Sequence, residues 1–413
     1  MIISEKNQQK KLSNNILSLA QEAKKAKDLN HNVINSTIGM LADENDEFYT
    51  FKAVKEVMAN LSDYRKFSYS DTDGGVNFEK AILTWVFGDS LSQMQKKYLS
   101  VIATPGGSGA IGVVFSNYMQ KNDKVLLPKN MWETYITFAK ERECDYITYD
   151  LFNATGRFNL ESVKKGIDSL LNQDTIVLVI NDPCQNPTGF CLSDSEYDSL
   201  VNLLNSYQKN IVLLMDMAYF DYYSANGEII RKRYEKLLKL NDNVLTVFAF
   251  SGSKTFGLYG LRIGAAIALH QNSKEVELFK SSASYFSRSY WSSSSTLGIN
   301  IIEELVLNET YQEMFKEELK VMSSTLEERA KVFLAEAKKW GLKLLPFERG
   351  FFVCVPTNDP VGLMNALHED ECYVVVTKTC IRIALCAISI EEAKKLPEII
   401  KKRMDKGGFN NEK

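Results

Sequence analysis

The sequence predicts an α/β protein: a mostly parallel seven-stranded sheet covered by helices, with a smaller α+β domain beside it. Three observations carry this. Between about Val101 and His270, short apolar runs alternate with amphipathic stretches, the pattern of βα units whose sheet is buried on both faces. From about Thr310 the text changes to one long charged stretch of helical periodicity, followed by short strands and a closing amphipathic segment. A chain of 413 residues also exceeds what one hydrophobic core usually fills.

In order along the chain, residues 1–50 are expected to join the small domain, 51–309 to form the large one, and 310–413 to complete the small one. The strands expected in the large domain are 100–104, 124–127, 146–149, 175–180, 211–216, 244–250 and 262–269, each a short apolar run bounded by polar or turn residues. In the small domain the runs FFVCVP, YVVVT and IRIAL read as strands, and SIEEAKKLPEIIKKR as the closing helix. The tail GGFNNEK is expected to fray.

Composition narrows the chemistry. With 45% hydrophobic and 24% charged residues and only 8 prolines, the chain has the make-up of an ordinary folded protein. Its formal net charge is −3 with both signs interspersed, so there is no basic field for a nucleic-acid backbone or an anionic membrane; a small-molecule substrate is the better expectation. The seven cysteines are odd in number and form no CxxC pair, which suits core thiols in a reducing compartment. The opening MIISEKNQQKKLSNN has no apolar core and no run of 18 apolar residues occurs, so a cytoplasmic location is expected. The three histidines, His31, His270 and His368, stand far apart in sequence, which argues against a histidine triad or a zinc site.

Three short motifs compete for the function. Gly107-Ser-Gly109-Ala-Ile-Gly112 follows a strand and opens a helix, formally the dinucleotide fingerprint, but the next strand ends Leu126-Leu127-Pro128-Lys129 without the acidic residue that would hold a ribose. A phosphate at a helix N-terminus survives as the shared physics. Gly252-Ser253-Lys254-Thr255 lacks both the glycine directly before the lysine and the earlier glycine of a P-loop. An arbitrary lysine is a solvated charge, but Lys254 falls in a small-residue turn after a buried strand, where open α/β sheets place ligands. A partly desolvated amine there is suited to Schiff-base formation.

Read together, Tyr69 in YSDTDGG, TPGGSGA at 104–110, Trp132, NPTG at 186–189, DMAY at 216–219, SGSKTFGLYGLRIG at 251–264 and Arg382 in IRIAL resemble the fold-type I, class I aminotransferases, in the aspartate and aromatic branch. The resemblance spans about residues 35 to 400. It implies a pyridoxal 5'-phosphate enzyme that exchanges an amino group between amino acids and 2-oxo acids by a ping-pong mechanism.

Residue by residue, the resemblance makes Lys254 the Schiff-base lysine and proton shuttle, and Asp216 the partner of the pyridine nitrogen. Asn186 and Tyr219 would bond the phenolic oxygen. Gly107, Ser108, Ser251 and Arg262 would hold the phosphate, and Trp132 would stack on the ring. Arg382 would clamp the substrate α-carboxylate, with Gly39, Asn186 and Trp132 beside the substrate. Tyr69 and Arg288 would cross from the other subunit of a homodimer, Arg288 toward a side-chain carboxylate, which makes aspartate and glutamate natural substrates. Bland readings stand beside these: Asp216 as a helix cap, Pro187 and Gly189 as loop punctuation, Trp132 as core and Arg288 as a solvated charge.

Two departures are visible. The family often carries a histidine three residues after the stacking tryptophan, and here that position is Tyr135; the Asn-Pro-Pro after the family's serine is Ser293-Ser294-Ser295. Alternatives are a lyase or decarboxylase on the same scaffold, and a non-catalytic cofactor-binding regulator. The latter lacks any basic DNA-binding extension in this sequence.

Overall fold

The structure, a computed structural model, describes residues 2–4, 7–8, 10, 16–30 and 32–410. His31, much of the opening segment and the last three residues of the tail lie outside the described residues. The chain forms two compact units: Phe48–Ala330 with Leu345–Phe352, and Met1–Glu47 with Lys331–Leu344 and Val353–Lys413.

The larger unit is built on seven strands: β1 Tyr98–Thr104, β2 Lys124–Pro128, β3 Asp145–Tyr149, β4 Thr175–Asn181, β5 Asn210–Asp216, β6 Val244–Ser251 and β7 Gly264–His270. They lie in the order β1-β7-β6-β5-β4-β2-β3. All pairs are parallel except the two made by β7, which runs antiparallel to both β1 and β6. The apolar runs form strands because helices cover both faces: β6 is buried at every one of its eight positions. Each expected strand is present within two residues at either end; β7 starts at Gly264 and not at 262. Arg262 has φ +52°, a left-handed conformation that cannot continue a strand.

Register places the ends of the central strands side by side. Asn181 pairs with Asp216, Asp216 with Ala249, and Ser251 with Gly264, which in turn pairs with Thr104. The carboxyl ends of β1, β4, β5 and β6 therefore share one edge of the sheet, the edge at which open α/β folds hold ligands.

In the smaller unit, Val375–Val376 and Phe352–Pro356 flank Cys380–Ala384 in a three-stranded sheet. The run YVVVT is divided: Cys372–Tyr373 pairs in parallel with Ile34–Asn35, and only Val375–Val376 joins the three-stranded sheet. The closing helix Ile390–Gly407 starts in a capping box made by Ser389 and Glu392. The long charged stretch is one helix, Glu309–Trp340. The sequence expectation draws the domain boundary at 309/310, whereas the compact units divide between Ala330 and Lys331, inside this helix. An unbroken amphipathic pattern leaves no compositional mark there.

All seven cysteines are buried and unbridged. Among the described residues no helix is long and apolar enough to cross a membrane, and no group of three or more His, Cys, Asp and Glu is arranged to hold a metal ion.

Candidate active site

A cavity of about 670 Å³ opens at the shared edge of the sheet in the larger unit. Of the thirteen residues singled out from the sequence, nine line it: Gly107, Ser108, Trp132, Asn186, Asp216, Tyr219, Ser251, Lys254 and Arg262.

Lys254 sits in the one-turn helix Gly252–Thr255, immediately after β6. Its Nζ lies 4.9 Å from the ring centroid of Tyr259 and 5.6 Å from that of Tyr219, so the amine is flanked by aromatic faces. The backbone of this turn is fixed by Tyr222, whose hydroxyl donates to the Lys254 carbonyl at 3.1 Å.

Asp216 ends β5 and is buried, at 6% exposure. Its Oδ2 accepts a short hydrogen bond from the Tyr135 hydroxyl, and its Oδ1 accepts from the Ala218 N–H at 3.1 Å. Burial pushes its carboxyl above the ordinary carboxylate value, while the Tyr135 and Ala218 bonds and the Lys254 charge pull the other way. Tyr135 is itself fully buried, and burial with the adjacent Asp216 holds its phenol well above the usual range, so it is a neutral donor. The position that departs from the family's histidine is thus filled by a group that still donates to the same carboxylate.

Asn181, not singled out from the sequence, ties two loops together. Its Nδ2 donates to the Asp216 carbonyl at 2.8 Å, and its Oδ1 accepts the Asn186 N–H at 2.8 Å. Asn186 is thereby presented toward Tyr219, with Nδ2 3.5 Å from the hydroxyl. The rest of the 186–189 turn closes on Gln185, whose Oε1 accepts from the Thr188 N–H at 3.0 Å and from its hydroxyl at 2.6 Å. Pro187 and Gly189 shape a turn that is a piece of the site's architecture.

The opposite end of the cavity is built for an anion. The helix Gly106–Tyr118 begins after Pro105 with no side-chain cap, leaving its first N–H groups and its dipole directed at the cavity where Gly107 and Ser108 line it. Ser251 and Ser253 add hydroxyls, and Arg262 Nη1 donates to Ser253 Oγ at 2.9 Å and to the Tyr259 carbonyl at 3.1 Å. Gly106 has φ +71°, and a Cβ there would stand 2.8 Å from Arg262 Nη2, so only glycine lets the helix start this close to the guanidinium.

Trp132 borders the cavity and meets the Tyr135 ring edge-on, with centroids 5.5 Å apart. The donor set suits a flat ligand with an anionic group at one end, a protonated ring nitrogen against Asp216, an oxygen acceptor near Asn186 and Tyr219, and a carbonyl within reach of an amine.

Four singled-out residues do not line this cavity. Tyr69 is 95% exposed. Arg288, in the last turn of the helix Ser273–Tyr290, is exposed and donates to Ser292 Oγ at 2.6 Å, giving the RxxxS spacing a local meaning. Gly39 and Arg382 belong to the smaller unit. There Arg382 is buried in a strand, and its Nη2 donates to the Thr37 carbonyl at 2.7 Å. Sequence reasoning missed Asn181, Ser253 and Tyr259 in the cavity wall. Ser253 had a signal, since it directly precedes the lysine; Asn181 had only its place at a strand end.

Comparison with known proteins agrees with this geometry. The family model for aminotransferase class I and II matches residues 31–400. Among curated proteins, the chain is 26% identical to a cytoplasmic aspartate aminotransferase of Dictyostelium discoideum, over 71% of this chain and 66% of that protein. It is 22% identical to an aromatic-amino-acid aminotransferase of Pseudomonas aeruginosa, over 63% and 64%. The matched region thus spans slightly under two thirds of these relatives' length. A crystal structure of an aminotransferase from Anaerococcus prevotii superposes with TM-score 0.92 at 28% identity, covering 97% of this chain and 99% of that one. A cytoplasmic aspartate aminotransferase from Giardia lamblia shares the fold, with TM-score 0.82 at 20% identity over 99% and 100% of the two chains.

Proposed function

The chain belongs to the class I and II aminotransferases, and from that premise we propose that it binds pyridoxal 5'-phosphate on Lys254 and transfers amino groups between amino acids and 2-oxo acids. The observation that supports this most is the placement of one amine, one buried carboxylate, the phenols of Tyr219 and Tyr259 and one anion cradle around a single cavity. Those are four different chemistries, and each has its counterpart on this one cofactor.

Gly107 and Ser108 at the helix N-terminus, Ser251, Ser253 and the Arg262 guanidinium hold the phosphate. Asp216, steadied by the Tyr135 hydroxyl and the Ala218 N–H, would pair with the protonated ring nitrogen. Asn186 and Tyr219 would bond the phenolic oxygen, and Trp132 would pack against the ring. When bound, pyridoxal phosphate supplies an electron sink for the charge left as the amino acid loses its Cα proton.

Lys254 Nζ would hold the cofactor, and as the amine that stands between Tyr219 and Tyr259 it is the group placed to take the substrate Cα proton as general base. Tyr219, whose ring lies 5.6 Å from Nζ, stands close enough to share in positioning that amine. Arg382 and Gly39 receive the substrate α-carboxylate, a planar fork meeting two oxygens. Tyr69 and Arg288, both exposed in the single chain, act across a homodimer interface; there Arg288 reads a side-chain carboxylate. Glutamate with 2-oxoglutarate is then one substrate pair, and aspartate or an aromatic amino acid supplies the other.

Initial velocities with glutamate and a second 2-oxo acid varied together test the reaction type. Parallel double-reciprocal lines are expected, since the amino group is parked on the enzyme between substrates. Intersecting lines, which mark a ternary complex, contradict it.

A further inference from the structure

The helical turn Phe220–Tyr222, directly after Tyr219, grips the Lys254 turn at two points. The Tyr222 hydroxyl donates to the Lys254 carbonyl at 3.1 Å, and Asp221 Oδ2 accepts from the Thr255 hydroxyl at 2.7 Å. Asp221 is itself held from outside. Trp85 Nε1 donates to its Oδ2 at 3.1 Å, and Arg231 Nη2 donates to its Oδ1 at 3.1 Å. Arg231 also donates to the Trp85 carbonyl, from Nε at 3.0 Å and from Nη2 at 2.9 Å, which closes the network.

Every member is buried: Thr255 at 1% exposure, Asp221 at 4%, Trp85 at 5% and Arg231 at 6%. A charge pair taken this far out of water is weak as a source of stability but strong as a fixture, because its hydrogen bonds go to fixed, buried partners. None of the four lines the cavity that holds Lys254. They reach that cavity through the two turns bearing Tyr219 and Lys254.

We propose that Asp221 is a positioning residue: anchored by Trp85 and Arg231, it locks the Lys254 turn to the Tyr219 turn through Thr255, fixing where the amine stands relative to the phenol. This rests on the reading of Lys254 as the cofactor lysine. Proton transfer at Cα depends on sub-ångström placement of the base, so a loosened turn costs turnover more than binding. Thr255→Val removes the hydroxyl link at nearly constant shape and leaves the Asp221–Arg231 pair intact; Thr255→Ser keeps the hydroxyl.

The holoenzymes are compared in the glutamate half-reaction and in the pH titration of their visible absorbance, and the cofactor-free proteins in thermal melts. Thr255→Val is expected to lower kcat roughly tenfold with KM held within about twofold, and to shift the midpoint of the absorbance titration. Thr255→Ser should restore both. Should Thr255→Val fail to fold, Tyr222→Phe, which cuts the second grip, is expected to reproduce the kcat loss and the shifted midpoint. A variant that melts earlier while kcat and midpoint stay at their wild-type values reduces the network to scaffolding and overturns the proposal, as does Thr255→Ser behaving like valine. If the wild-type protein gains no visible band with pyridoxal phosphate, the reading of Lys254 fails first and this one with it; a normal band with inert Thr255 variants sinks this one alone.

Discussion

Tyr135→Phe isolates one hydrogen bond on which the cofactor's protonation is expected to depend. The change keeps the buried ring that meets Trp132 and removes only the hydroxyl that donates to Asp216 Oδ2. A hydrogen bond to a charged group is worth about 1.5–3 kcal/mol, so its loss raises the Asp216 carboxyl further above its ordinary value. The direction follows from which form is bonded: the phenol stabilises the carboxylate, so removing it favours the acid, adding to the upward push of burial. A neutral Asp216 cannot keep a proton on the ring nitrogen. The assay is the pH profile of kcat/KM for glutamate, whose acid limb should move to higher pH with kcat reduced at neutral pH. Linkage fixes the stability sign as well. Asp216 titrates above its ordinary value of 3.8 in the fold, so its contribution is most favourable below that value and is lost as pH rises toward the folded pKa. The cofactor-free Phe variant should therefore melt below wild type near neutrality and approach it in acid. An acid limb that stays where the wild type has it, in a variant that folds and binds cofactor, would refute this reasoning.

Other outcomes follow from the same geometry. Asp182, fully buried and held by the Tyr197 hydroxyl at 2.6 Å and the Leu192 N–H at 2.7 Å, has its carboxyl pushed up to about 7 by burial. Its contribution to stability is present below the ordinary value of 3.8 and lost as pH rises through 7, so Asp182→Asn should lag wild type in melts at pH 5 and close the gap at pH 8; a constant difference contradicts this. Gly106→Ala forces φ +71° on a side chain whose Cβ stands 2.8 Å from Arg262 Nη2, and should weaken pyridoxal phosphate binding about tenfold by fluorescence titration. An unchanged Kd would remove Arg262 from the phosphate site. Arg288→Ala should lower kcat/KM for aspartate and glutamate by an amount on the order of 2–5 kcal/mol and spare alanine; equal losses on all three deny it the side-chain carboxylate.

Much of this site was legible in the sequence, for physical reasons. A strand buried on both faces writes itself as an unbroken apolar run, so β4, β5 and β6 were readable, and with them the edge where Asn181, Asp216 and Ser251 end up side by side. Lys254 and Asp216 stood out because each follows such a run. What escaped was whatever depends on contacts distant in sequence. Nothing near Tyr135 announces that its hydroxyl meets a carboxylate 81 residues later, and nothing near Asp221 announces Trp85 136 residues earlier. The reversal of β7 was equally silent, because an apolar run reads the same in either direction. The division inside Glu309–Trp340 was hidden by the continuity of the helix itself. Tyr69 and Arg288 were singled out on resemblance alone, and they stand outside the cavity of the single chain.

The most direct test of the account is to add pyridoxal phosphate to the purified protein, follow the visible absorbance, reduce with borohydride and locate the modified peptide by mass spectrometry. A visible band that glutamate bleaches and 2-oxoglutarate restores, with the reduced adduct on Lys254, is the predicted result. A protein that gains no band, or that carries the adduct on another lysine, would contradict the central claim and return the anion cradle at Gly107 and Ser108 to the search for a different ligand.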